Sequence, residues 1–205
     1  MNRNSKLLIV LSAILLVVVG GLLALQVLPF ARSKPKVVSS GTVDIGGPFT
    51  LIASDGKTVT DRTYRGKWEI IYFGYTHCPD DCPVALANLS IALKKLGSDA
   101  SKAQALFITV DPKRDTQKVM AKYLRSFDPR IMGLTGSQAQ NTRVTKEYRV
   151  YVEPHKSKNG ELIVDHSAYF YVMNPQGVFA TVIGQSASGE AIAERLRKRL
   201  SGSSS

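Results

Sequence analysis

The chain has 205 residues, 44% hydrophobic and 21% charged, with 27 Lys and Arg against 16 Asp and Glu for a formal charge of +11. That is ordinary globular composition, enough for one well-buried domain plus an appendage, and two cysteines are too few for the disulfide framework of a small secreted domain. The basic residues are scattered among helix ends and loops without a recognised motif, which argues against nucleic-acid binding.

Residues 1–6, with Arg3 and Lys6, read as a short cytoplasmic N-terminus. Residues 7–28 carry no charge, diluted only by Ser12, Gly20, Gly21 and Gln26. As a helix they would extend about 33 Å, enough to cross a bilayer. The run is too long for a secretory signal and its best cleavage site, Pro29-Phe30-Ala31, is poor, so it reads as an uncleaved anchor. Arg32, Lys34 and Lys36 balance Arg3 and Lys6, so charge alone does not orient it. Those five cations are accompanied by no acid, leaving +6 for the remainder of the chain. Residues 29–47 form a linker, rich from Ser33 onward in Ser, Pro, Lys and Gly.

A domain is expected over residues 48–200. Phe49 to Ile52 and Lys57 to Thr60 flank Asp55-Gly56, a hairpin signal. Trp68 to Phe73 is apolar apart from Glu69, as expected of a central strand covered on both faces. Pro83 to Leu96 reads as an amphipathic helix on Leu86, Leu89, Leu93 and Leu96, stopped by Gly97. Ala105 to Val110 is a second buried strand, followed by a helix from about Thr116 to Phe127, which implies a parallel crossover. Ile131 to Leu134 is a short strand and Ser137 to Tyr148 a helix with Val144 and Tyr148 facing inward. Glu153 to Gly160 reads as a polar loop holding His155 and ending in an Asn-Gly turn. Ala168 to Met173 and Val178 to Ile183 form a hairpin, and the last helix carries Ile192, Leu196 and Leu200. Residues 201–205 read as a disordered tail.

Both cysteines, Cys78 and Cys82, lie where the central strand gives way to a helix. Pro83 suits the first helical position, which makes Cys82 the expected N-cap. Exposed N–H groups and the helix dipole there favour a thiolate, and an easily ionised sulfur serves metal binding or redox exchange. Strand, cysteine pair, crossover strand and terminal hairpin follow the order of a thioredoxin-like α/β domain, with a mixed sheet flanked by helices.

Successive blocks carry a resemblance: Gly46-Gly47-Pro48-Phe49-Thr50-Leu51, Tyr72 to Asp80 with Cys82-Pro83, Asp111 to Thr116, and Asp165-His166-Ser167 before an apolar strand. In order and spacing they resemble the Sco/SenC family, with Asp81 standing where that family usually has an aliphatic residue. The resemblance implies a membrane-anchored chaperone that binds copper, Cu(I) or Cu(II), through Cys78, Cys82 and His166. It implies as partners the copper-bearing subunit of cytochrome c oxidase, a copper donor protein and a thiol reductant. It also implies a bacterial inner-membrane protein facing the periplasm, an expectation favoured by the absence of an Arg-rich presequence, with the mitochondrial intermembrane space as the alternative.

The residues support that expectation on their own chemistry. Thiolates are soft ligands suited to Cu(I), an imidazole completes three-coordination, and no fourth ligand for structural zinc is evident. His166 stands just before a strand where thioredoxin-like oxidoreductases present a cis-proline. His77 should diverge from Cys78 and serve structure, while Asp80, Asp111 and Asp165 are candidates to orient ligands, Asp111 equally a turn cap with Pro112. The competing function is a tethered thiol-disulfide oxidoreductase using Cys78 and Cys82 as a redox pair.

Overall fold

The computed structural model describes residues 44–202. The chain divides after Thr42, and the description concerns the second unit. The expected anchor and most of the expected linker, like the last three residues of the tail, lie outside the described residues. Among those described, no helix is long and apolar enough to cross a membrane.

The expected first hairpin forms from β1 (Thr50–Ala53) and β2 (Thr58–Thr60). Gly56 turns at φ +89, a left-handed conformation that suits glycine, while Asp55 Oδ1 accepts from the Lys57 N–H at 3.1 Å. Strand β3 (Trp68–Gly74) is buried at every residue, so a continuous apolar run marks an interior strand. Helix α1 (Asp81–Leu96) buries Leu86, Leu89, Leu93 and Leu96 as their spacing predicts, and Gly97 ends it at φ +58. After a short 3-10 turn come β4 (Ala103–Thr109), α2 (Gln117–Leu124), β5 (Ile131–Thr135) and α3 (Gln138–Glu147). Ser137 and Gln140 close a reciprocal capping box at the start of α3, and Val144 and Tyr148 are buried. Next are β6 (Val152–Lys156), β7 (Leu162–His166), β8 (Tyr169–Met173), β9 (Phe179–Gly184) and α4 (Gly189–Ser201), which buries Ile192, Leu196 and Leu200.

Seven strands form one mixed sheet in the order β2-β1-β5-β4-β3-β8-β9. The β3, β4 and β5 strands run parallel through the crossovers of α1 and α2, while β8 and β9 return antiparallel. This is the thioredoxin-like α/β arrangement expected. Its parallel ladder puts the C-terminal end of β3 and the N-terminus of α1 at one pole, with both cysteines.

Three expectations need correction. Helix α2 ends at Leu124 rather than Phe127, because Arg125, Ser126 and Phe127 donate three residues back in tight turns and Asp128 precedes a proline, a position that disfavours helix. The N-cap of α1 is Asp80, not Cys82. Pro83 is tolerated inside the first turn, where its missing N–H has no helical partner. Finally, the expected polar loop around His155 contains β6, which pairs with β7 as a separate two-stranded ribbon. Four of the five β6 residues are exposed and Pro154 sits mid-strand, so no hydrophobic alternation announces it.

Candidate metal centre

At the pole of the sheet, Tyr75 is buried and its hydroxyl accepts from the Val164 N–H of β7 at 3.4 Å, tying the cysteine loop to the ribbon. The other side of the loop is held by Asp115, a fully buried carboxylate. It accepts from the Thr76 N–H (3.0 Å), the Thr76 hydroxyl (2.5 Å) and the Thr109 hydroxyl (2.6 Å). Three donors make this buried charge tolerable.

The two sulfurs occupy different surroundings. Cys82 is fully buried in the first turn of α1, whereas Cys78 is half-buried before the helix and accepts the Cys82 N–H at 3.4 Å. Thus Cys78, rather than Cys82, supplies the side-chain acceptor at the helix start. The Cys78 thiol is pushed down to about 3, first by a hydrogen bond from the Cys82 thiol, then by His166 and the N–H groups of Cys82 and Asp80, against the opposing effect of burial. Cys82 moves the other way, because its S–H donates to Cys78 and because burial disfavours a second thiolate beside the first. The reduced pair is therefore one thiolate and one thiol.

His166, the last residue of β7, brings Nε2 to 3.6 Å from Cys82 Sγ. Its Nδ1 lies 3.1 Å from the Ser167 carbonyl, which can only accept, so Nδ1 carries a proton and Nε2 faces the sulfurs. The rings of Tyr72 and Tyr75 each meet the imidazole edge-on at 6.1 Å and restrict its rotation. With bonds of about 2.3 Å to sulfur and about 2.0 Å to nitrogen, a trigonal ion separates those two ligand atoms by about 3.7 Å, close to the edge found here. Among the described residues no group of three or more His, Cys, Asp and Glu is already closed around a metal position. The constellation is an open cluster in which the Cys78 sulfur still serves the helix N-terminus.

All three expected site residues meet at this pole, although they are up to 88 positions apart in the chain. His166 arrives at the end of a strand rather than on a loop. His77 points away from the sulfurs, its Nδ1 3.0 Å from the Thr76 hydroxyl and 3.6 Å from Asp115. His155 is exposed and faces Asp165 at 3.4 Å. Asp111 is buried in an ion pair with Arg114 and closes the turn leading to Asp115, so the turn-cap reading holds for it. Asp80 contributes its backbone, and Asp165 borders the groove of about 380 Å³ that contains Cys78 and His166.

Sequence reading missed three participants. Asp115 lies within the Asp111 to Thr116 block, where no local signal sets it apart from the other polar residues. Tyr72 and Gln185 were not connected, yet the Tyr72 hydroxyl donates to Gln185 Oε1 at 2.7 Å and stands 3.9 Å from Cys82 Sγ. No local signal identifies Gln185, which reaches the site only because β9 pairs beside β8.

A family model described as SCO1/SenC matches residues 37–201. The chain belongs to the SCO1/SenC family. This SCO1/SenC chain is 39% identical over 170 residues to protein sco1 of Schizosaccharomyces pombe, covering 80% of this chain and 65% of that protein. It is 40% identical over 157 residues to the mitochondrial SCO2 homolog of Homo sapiens, covering 75% of this chain and 59% of that protein. The SCO1/SenC chain therefore spans less than two thirds of the length of either relative. Among solved structures, copper-bound ScoI of Bradyrhizobium japonicum matches at 44% identity and TM-score 0.71, covering 75% of this chain and 98% of that one. Copper-bound yeast Sco1 matches at 37% identity and TM-score 0.71, covering 78% and 90%.

Proposed function

We propose that this SCO1/SenC chain is a membrane-tethered copper carrier that binds one copper ion through Cys78, Cys82 and His166 and passes it to the copper-bearing subunit of cytochrome c oxidase. The observation that carries the reading is the 3.6 Å approach of His166 Nε2 to Cys82 Sγ across 84 residues, beside a second sulfur poised as thiolate. Two soft sulfurs and one imidazole form a set suited to Cu(I), and similar proteins are solved with copper bound. In this reading residues 7–28 are the anchor, residues 29–47 the spacer, and the domain faces the periplasm or the mitochondrial intermembrane space.

The unequal cysteines favour a second, compatible activity, the reduction of a disulfide in the copper-accepting partner. The Cys78 thiolate would attack one partner sulfur, form a mixed disulfide and release the other as thiolate. Cys82, after losing its proton, would attack Cys78 Sγ, leaving a Cys78–Cys82 disulfide and a reduced partner.

The test is anaerobic loading of the reduced full chain in detergent with Cu(I), alongside His166→Ala. About one copper per chain is expected for the parent, with affinity falling at least about tenfold in the variant, a loss of about 1.4 kcal/mol. Equal retention by the variant would remove the imidazole from the site and overturn the three-ligand reading, whereas no copper on the parent would leave only the redox function.

A further inference from the structure

We propose that the free edge of β9 is a docking strand for an acidic, extended segment of a partner protein. The inference does not depend on the copper reading. Strand β9 ends the seven-stranded sheet and pairs only with β8 among the described residues. The Gln185 N–H donates to the Ala168 carbonyl at 3.2 Å and the Asn174 N–H to the Val178 carbonyl at 2.9 Å. Antiparallel phasing from those two bonds turns Ile183 and Thr181 toward β8, so the backbone groups of Val182 and the N–H of Gly184 point to the open side. Such a row of unpaired groups is a template for another strand.

The edge opens onto a crevice of about 340 Å³ between β9 and α4. Thr181, Ile183 and Leu196 contribute to its walls, and Arg195, Lys198 and Arg199 line it from α4 with no carboxylate among the lining residues. Lys198 is paired with Glu194 at 2.8 Å, whereas Arg195 and Arg199 extend outward without a salt bridge among the described residues. Val182 and Tyr169, on neighbouring strands, are exposed apolar side chains beside the same edge. Backbone template, apolar wall and an excess of cations, three lining the crevice against the one nearby carboxylate of Glu194, together select an extended peptide that alternates apolar and acidic residues. Val172 and Met173 sit opposite an irregularity in β9, which confines the regular template to the stretch ending at Gly184. That end leads directly to Gln185, which lines the cysteine and histidine groove, so a docked segment would place its neighbouring residues at the sulfurs.

The probe is a fluorescein-labelled peptide of three Val-Glu repeats, with a Val-Lys peptide as its counterpart, titrated against the full reduced chain in detergent by fluorescence anisotropy. The acidic peptide is expected to bind saturably and to weaken with salt. Arg195→Glu combined with Arg199→Glu should weaken it at least about tenfold and let the Val-Lys peptide bind instead. Val182→Pro, which removes an outward N–H and no β8 bond, should weaken both. Amide NMR perturbations are expected at Val182 and Gly184. Equal binding of the two peptides to the parent, no binding at millimolar peptide, or perturbations confined to other elements would each overturn the proposal. So would unchanged acidic-peptide affinity in the double charge reversal, a surface change that the fold tolerates.

Discussion

Gly74→Ala tests whether the sheet and the cysteine helix are packed as tightly as their geometry indicates. A Cβ at Gly74 would stand 2.8 Å from Cys82 Sγ and 2.8 Å from Phe107 Cε2, about 1 Å inside ordinary contact. The backbone has little room to yield, because Gly74 pairs with Thr109 at the end of a seven-residue parallel ladder. Phe107 is caught between Tyr72 and Tyr123, with ring centroids 6.2 and 5.9 Å away. The movable atom is the sulfur, and moving it breaks its 3.6 Å approach to His166. Overpacking of this kind costs about 1–3 kcal/mol, offset by about 0.4–1 kcal/mol from the stiffer unfolded chain. The net loss, at most about 2.6 kcal/mol and centred on about 1.3 kcal/mol, should lower Tm by roughly 3–5 °C and by no more than about 10 °C in a domain of this size. Cu(I) affinity should fall at least about tenfold in anaerobic competition with a chromophoric chelator. Gly184→Ala, at a position where an added Cβ meets nothing within 4 Å, is the control and should hold Tm or raise it by roughly 1–4 °C, since only the unfolded-chain effect remains. If Gly74→Ala kept both the Tm and the copper affinity of the parent, the close approach of β3 to Cys82 would not constrain the site.

Asp115→Ala should destabilise the domain by about 2–5 kcal/mol, since it strands the Thr76 N–H and the hydroxyls of Thr76 and Thr109 in the interior. The urea midpoint measures this, and a midpoint matching the parent would show that Asp115 does not hold the cysteine loop. Glu69→Gln concerns the opposite end of β3, where burial raises the carboxyl to about 7, with Arg65 opposing and Asp61 adding. For an acid whose folded pKa lies above its unfolded one, the contribution is complete below about 4.5 and lost as pH rises through about 7. The parent should therefore lose stability between pH 5 and 8 relative to Glu69→Gln, and parallel Tm profiles over that window would refute the assignment.

What was legible followed from where side chains are buried. The all-buried β3, the leucine stripe of α1 and the terminal hairpin each pack against the core, so their apolar pattern is imposed by contact and can be read directly. The β6–β7 ribbon was illegible for the same reason. Only Val164 of its ten residues is buried, and pairing between largely solvated strands leaves no mark on hydrophobicity. Motif and family pattern singled out His166, which the structure brings to 3.6 Å from Cys82 Sγ, even though the strand bearing it was missed, because a residue's chemistry is legible where its secondary structure leaves no signal. Gln185 and the outward edge of β9 are products of sheet order, which no short window of sequence contains.

The displaced start of α1 changes which cysteine does what. Had the helix begun at Pro83, Cys82 would have capped it and taken the negative charge. It begins at Asp81, so Cys82 lies inside the first turn and gives its N–H to Cys78, which becomes the capping thiolate, while Cys82 keeps its proton between Cys78, Tyr72 and His166. A soft ion held by both sulfurs must replace that proton and relieve Cys78 of its duty to the helix, so loading and helix capping compete for one sulfur. The same competition leaves the free protein with an accessible nucleophile and a buried resolving thiol, the division of labour that disulfide exchange requires. The proposed copper carriage and the proposed partner reduction would thus both draw on one asymmetry, set by where a helix starts.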